Sequence, residues 1–390
     1  MAEQFDFDQI LNREGTNSLK YDGRKPLFGR ADVIPMWVAD MDFASPPAVT
    51  QALLARANSP IYGYTDFPDS LYDAMIAWIK KRHGWAIKRE WIMMCPGVVP
   101  SLHTASIAFA AHGESIIVQP PVYFPFFSSV KNTGRTLVEN KLILQNNRYT
   151  IDFEALEECA KQAKMLFLCS PHNPVGRVWR QEELARIINI AEKYQLVVFS
   201  DEIHADLIYP EGKHHPLASL SDAGEHIVTA VAPSKTFNIA GLGLSALIVP
   251  NADYRQKLYV AFETLHVSVA NPFSLVAFEA AYAHGEAWLD ALLTYLTTTR
   301  DYVIDYLDKH ISQIKCIKPE GTYLLWLDCT ALGLSDQALK HFFIHQAGIG
   351  LSPGTLFGEG GSGFMRMNIG MPRQLVKEAL DNIRHALNLY

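Results

Sequence analysis

The sequence is short of everything that would tie it to a nucleic acid, a membrane or an oxidising compartment. It has no block of basic residues, and 34 Lys and Arg against 41 Asp and Glu leave a formal charge of −7. Nothing in it can neutralise a run of phosphates, which excludes nucleic acid and anionic lipid as partners. No apolar run reaches the roughly 18–20 residues that a membrane span requires. The N-terminal "MAEQFDFDQI" is acidic, without a basic stretch leading into an apolar one, so no signal peptide is expected. Cysteines are few and odd in number (Cys95, Cys159, Cys169, Cys316 and Cys329), with no CxxC pair. They read as reduced core thiols of a cytoplasmic protein. Repeats, low-complexity segments and long linkers are missing too.

What is there is apolar and ordinary. Half of the 390 residues are hydrophobic, ample for a core, and the length favours two domains over one. Between about residues 90 and 250, short β-rich runs alternate with helix-like stretches. The runs are "SIIVQ" (115–119), "KMLFLCS" (164–170), "LVVFSDEI" (196–203), "IVTAVA" (227–232) and "LSALIVP" (244–250). Several are apolar throughout, as strands covered on both faces are. "DFEALEECAKQAK" and "QEELARIINIAEKYQ" lie between them with apolar residues at helical spacing. This predicts an α/β fold with a mostly parallel, doubly wound sheet. Residues 286–311 read as one long amphipathic helix, buried through Leu289, Leu292, Leu296, Val303, Tyr306 and Leu307. After it come "GTYLLWLDC", a helix from near Ser335, "GIGLSPG", "GFMRMNIG" and a last helix from Pro372. The expected division is a large α/β domain over 48–285 and a smaller α+β domain from 1–47 with 286–390.

One lysine stands out. In "VAPSKTFNIAGL" (231–242), Lys235 sits among Ala232, Pro233, Ser234, Thr236 and Phe237, with no charged neighbour and directly after a strand. Ligands of open α/β sheets lie beyond the carboxyl ends of the strands. There the sequence offers "PVYFPF" with Tyr123, "SPHNPVG" with Asn173, "DEIH" with Asp201 and "PSK" with Lys235. "CPGVVPSLHTA" (95–105) adds a glycine turn opening a helix, a backbone anion site. An amine, a carboxylate, an amide, an aromatic ring and an anion cradle together suit pyridoxal 5'-phosphate. Its aldehyde needs a lysine for a Schiff base, with the amine's pKa lowered among small apolar residues. Its ring nitrogen needs a carboxylate to stay protonated.

"SPHNPVG", "SDEIH", "APSKTFN" and "FMRMNIG" resemble, in order and spacing over essentially the whole chain, the fold-type I PLP-dependent enzymes of the aspartate aminotransferase superfamily. "MWVADMDFASPP" (36–47), "YGYT" (62–65), "PGVVPSL" (96–102), "DEIH" and "SKTFNIAGL" are similar, more narrowly, to its cystathionine β-lyase or C–S lyase branch, the MalY/PatB type. The resemblance implies that Lys235 holds the cofactor and shuttles the α proton, with Asp201 on the ring nitrogen, Asn173 on the ring hydroxyl and Tyr123 stacked on the ring. It implies that Gly97, Val98 and Val99 give amides to the phosphate. Tyr64 is expected to reach the phosphate of the neighbouring subunit of a homodimer, and Arg366 to clamp the substrate carboxylate, with Asn173, Ala39 and Asp40 near the substrate. Ala232 stands where many relatives carry a phosphate-binding serine, and Ser234 is the substitute expected here. His204 replaces a tyrosine near the ring hydroxyl, and a common arginine after the lysine is absent. Asp40 and Asp42 also suit turn formation, and His214–His215 in "PEGKHHP" read as a solvated loop rather than metal ligands. The implied reaction is β-elimination from L-cystathionine and related cysteine S-conjugates to pyruvate, ammonia and a thiol. A class I/II aminotransferase is the alternative, and a partner-binding regulator a third reading.

Overall fold

The computed structural model describes residues 5–221, 224–267 and 271–389. Its centre is a seven-stranded sheet made of β1 (Ile92–Cys95), β2 (Ser115–Val118), β3 (Thr136–Glu139), β4 (Ala163–Cys169), β5 (Val197–Asp201), β6 (Ile227–Val231) and β7 (Ser245–Ile248). The spatial order is β1-β7-β6-β5-β4-β2-β3. β7 runs antiparallel to both its neighbours, and every other pairing inside the sheet is parallel. All residues of β5, β6 and β7 are buried, as strands covered on both faces must be. The uniform apolarity of these runs is the reason the sequence announced them.

The two edge strands escaped that reading. β3 is short, leaves Thr136 and Glu139 exposed, and carries no fully buried residue. β1 is the methionine-rich "IMMC", which lacks β-branched runs. Between β4 and β5 the helix Gln181–Tyr194 buries Leu184, Ile187, Ile188 and Ala191 on one face. The helix Phe153–Ala160 starts where Asp152 accepts the Ala155 N–H over 3.0 Å.

A second sheet is antiparallel throughout: β8 (Lys315–Ile317), β9 (Leu324–Asp328), β11 (Phe364–Asn368) and β10 (Ser352–Pro353), in that spatial order. The long helix Glu286–His310 buries the expected leucine, valine and tyrosine stripe. The N-terminal segment packs beside it. Ile34–Pro35 pairs with Ile349–Gly350, and the Asn368 N–H donates to the Met36 carbonyl over 2.9 Å. Phe7 meets Phe43, Trp288 and Tyr295 at ring distances of 5.1–5.6 Å. One apolar cluster, containing Leu166, Phe237, Trp288 and Trp326, runs through both sheets. No helix among the described residues is long and apolar enough to cross a membrane.

One expectation is corrected. His214 is not in a solvated loop: it is buried, with its ring Nε2 2.8 Å from Glu202 Oε2. The buried Glu202 carboxylate, which also accepts from Ser200 Oγ and the Leu217 N–H, draws the imidazole inward.

Candidate active site

The parallel register puts Cys169, Asp201 and Ala230 side by side, so β4, β5 and β6 end level with one another. The segments that leave them close a cavity of about 220 Å³. Gly97, Val98, Val99, Tyr123, Asn173, Asp201, His204, Ser234, Lys235 and Ala39 line it, together with Ala232 and Cys169. Arg366, Asp40 and Tyr64 are expected site residues outside this lining. Arg366 adjoins it, because its Nη1 donates to Asn173 Oδ1 over 3.0 Å. Asp40 instead pairs with Arg13 at 2.9 Å. Tyr64 is fully exposed and borders a separate hollow with Met93, Met94, Tyr259 and Phe262.

Lys235 sits in a tight turn in which the Phe237 N–H donates to the Pro233 carbonyl over 2.9 Å. Asn238, at φ 57°, pins the far end of this turn: it accepts the Met41 N–H and donates to the Met41 and Phe43 carbonyls. The same N-terminal segment then meets the lysine itself. Lys235 Nζ donates to the Ala39 carbonyl over 2.7 Å, and the buried Tyr323 hydroxyl donates to that oxygen over 2.9 Å. A carbonyl satisfies the amine without neutralising a charge. Burial therefore prevails over the pull of Asp40 and brings the Lys235 pKa down to about 8.

Asp201 is 4% exposed and accepts the Ile203 N–H over 3.2 Å. No ion pair holds it among the described residues, and burial pushes its carboxyl up to about 7 against the Ile203 N–H and Lys235. His204 is buried with Nδ1 lacking a hydrogen-bond partner. Burial, then the Lys235 and Arg366 cations, lower it to about 3, so the ring is neutral. Arg366 is 4% exposed on β11, donating from Nη2 to the Trp37 carbonyl at 2.7 Å and to Ser352 Oγ at 3.3 Å, with Nε unpartnered. Burial without a carboxylate partner lowers its pKa to about 10, which still leaves a cation at neutral pH.

The anion cradle is built on Gly97. At φ 152° and ψ 161° it holds a conformation that side-chain-bearing residues rarely adopt, and the helix Val98–Phe109 starts from it. The Val98 and Val99 N–H groups open that helix and have no intrahelical acceptor. Tyr123 is tied to the opposite wall, its N–H donating to the Asn173 carbonyl over 3.0 Å.

Sequence reading passed over Tyr323, Asn238, Trp37 and Ser352. Tyr323 had a signal, a hydroxyl in the apolar run "GTYLLW" that burial obliges to find a partner. Trp37 had none, since it contributes a carbonyl that any residue could supply. Asp42 proves to be more than a turn former. It is 3% exposed, with Lys20 at 2.9 Å and Arg13 at 2.6 Å.

The sequence model described as "Aminotransferase class I and II" matches residues 31–383. The chain belongs to the class I and II aminotransferase family. Within the family it is similar to "Cystathionine beta-lyase PatB" of Bacillus subtilis (strain 168), 43% identical over 98% of this chain and all of that protein. It is also similar to "Protein MalY" of Escherichia coli (strain K12), 31% identical over 98% of this chain and 99% of that one. The crystal structure of cystalysin from Treponema denticola, which contains a pyridoxal 5'-phosphate cofactor, superposes with a TM-score of 0.94 at 37% identity, covering 99% of each chain.

Proposed function

We propose that the protein is a pyridoxal-phosphate-dependent C–S β-lyase that cleaves L-cystathionine and related cysteine S-conjugates to pyruvate, ammonia and a thiol. The carrying observation is the cavity itself: a depressed amine, a buried carboxylate without a counter-ion and an open helix N-terminus around one space. Each lacks the partner that the cofactor would bring. Asp201 needs a cation, which the ring nitrogen supplies. Val98 and Val99 need an anion, which the phosphate supplies. The orphaned His204 Nδ1 and the Asn173 amide face the demands of a ring hydroxyl, Tyr123 offers a ring face, and Ser234 a hydroxyl. The residues fit the group.

Bound pyridoxal phosphate supplies an electron sink for the carbanion left when the α proton departs. The chain's own residues do the rest. Arg366, buried and without a carboxylate, binds the substrate carboxylate through paired N–H groups. Asp201 keeps a proton on the ring nitrogen by its charge. Lys235 would take the α proton at Nζ. The resulting ammonium then holds a proton for the departing sulfur. The Ala39 carbonyl, itself held by the Tyr323 hydroxyl, would accept from the Lys235 amine and leave it neutral before the transfer.

The functional unit in this reading is a homodimer in which Tyr64, exposed in its own subunit, completes the phosphate site of the neighbour. We divide the chain into a cofactor-carrying unit over 48–285 and a smaller unit of 1–47 with 286–390. The separate antiparallel sheet supports this division. Five free cysteines support a cytoplasmic location. A class I/II aminotransferase is the second reading, favoured by the family description and by the fact that both reactions use one lysine. Incubating the protein with L-cystathionine and no oxoacid separates them. Equal release of pyruvate and thiol over many turnovers establishes the lyase. Amino transfer after an oxoacid is added, with no thiol, overturns it.

A further inference from the structure

Thr236 directly follows Lys235 and is fully buried, and its Oγ1 donates to Asp206 Oδ2 over 3.0 Å. Asp206 Oδ1 accepts from Trp78 Nε1 over 3.0 Å and lies 2.9 Å from the His83 ring Nε2. Neither Asp206 nor Thr236 lines the cavity. Asp206 belongs to the turn that leaves β5, the same stretch that carries Asp201 and His204. One carboxylate therefore ties the lysine loop to the Asp201 segment, and both to the helix Asp69–His83. Burial pushes the Asp206 pKa up, but the hydrogen bonds from His83, Thr236 and Trp78 hold it below the ordinary value. It is an ionised acceptor at neutral pH. Upstream of Lys235, Ala232 and Pro233 have no side-chain donor or acceptor, and the Ser234 hydroxyl has no partner among the described residues. The side-chain hydrogen bonds that anchor this loop therefore come from Thr236 and Asn238, beside the buried Phe237 ring.

We propose that Thr236 and Asp206 are positioning residues for Lys235, and that their hydrogen bond sets where the amine meets the α-carbon of the substrate. The inference rests on the role of Lys235 in the proposed function. A misplacement of about 1 Å costs on the order of a hundredfold in rate, and losing the hydrogen bond on the residue next to Lys235 would allow one.

The test uses the holoenzyme and exchange of the α hydrogen of L-alanine in D2O, followed by NMR. L-Alanine has no β leaving group, so exchange reports on the lysine whether the enzyme eliminates or transaminates. Thr236→Val should lower exchange by about 10- to 100-fold and slow the rate at which apoprotein turns yellow with pyridoxal phosphate. Thr236→Ser should restore both. Trp78→Phe removes another donor from the same carboxylate and should lower stability while leaving exchange within a few-fold of wild type. If Thr236→Val does not fold, Asp206→Asn is read in the same way. Wild-type exchange in Thr236→Val, or an equal loss in Trp78→Phe, overturns the proposal and leaves Asp206 as a support of the fold alone. Exchange by the wild type without thiol from L-cystathionine would remove the lyase reading and leave this inference in place.

Discussion

Two lysines lie within the electrostatic reach of Asp40, and they are treated in opposite ways. Lys20 is fully buried, with Asp42 Oδ2 at 2.9 Å and Asp40 Oδ1 at 3.8 Å, and Arg13 shares both carboxylates. Lys235 meets a carbonyl, and the nearby carboxylate of Asp201 is left without a counter-ion among the described residues. The first arrangement neutralises its charges and fastens the N-terminal segment. The second leaves an amine and a carboxylate displaced from their ordinary pKa values, an uncompensated pair that a bound cofactor would complete. Uncompensated groups cost stability, and chains concentrate them where chemistry occurs.

That contrast can be broken most sharply at the lysine. Lys235→Ala should yield a folded, colourless protein whose turnover of L-cystathionine falls by at least about a thousandfold. A variant that stays yellow and active would remove Lys235 from the site. Asp42→Ala leaves Lys20 buried without its nearest partner and should cost about 3–5 kcal/mol of stability. Urea unfolding reads this, and turnover per folded molecule should be nearly unchanged. A loss of turnover without a loss of stability would move Asp42 from the scaffold into the site.

The opposite sign is expected at Asp201. Its folded pKa is raised from 3.8 to about 7, so between those values the folded protein without cofactor binds more protons than the unfolded chain. Stability of that form therefore falls as pH rises through this window. Asp201→Asn should make the cofactor-free protein more stable at pH 8, by an amount on the order of 1–3 kcal/mol, while abolishing turnover. Equal stability of the two apoproteins at pH 8 would show that the carboxylate is compensated after all. The smallest effect is the pH dependence of cofactor capture. With Lys235 near 8, only the neutral amine reacts with an aldehyde. The rate of yellowing should then rise about tenfold per pH unit up to 8 and level off above it. A rate still climbing from pH 9 to 10 would mean an ordinary lysine.

Much of the site was legible because each strand end carries its functional residue within a few positions of an apolar run. Lys235, Asp201, Asn173 and Tyr123 all follow such runs, and the parallel register brings them to one edge. What could not be read were contacts made across long separations through groups with no sequence signature. Ala39 holds Lys235 by a backbone carbonyl 196 residues away in the chain. Trp37 does the same for Arg366 across 329 residues. His214 shows the reverse failure, because a polar loop composition hid a histidine that Glu202 draws inside.

The sequence by itself determined the five inner strands of the large sheet, their burial on both faces and the residue types at their ends, since these follow from local apolar pattern and from chemistry carried within single segments. Tertiary structure alone decided the charge state of the site. Whether a lysine meets a carboxylate, as Lys20 does, or a carbonyl, as Lys235 does, depends on which distant segment packs against it. The electrostatic cost of burial acts through space and takes no account of chain order.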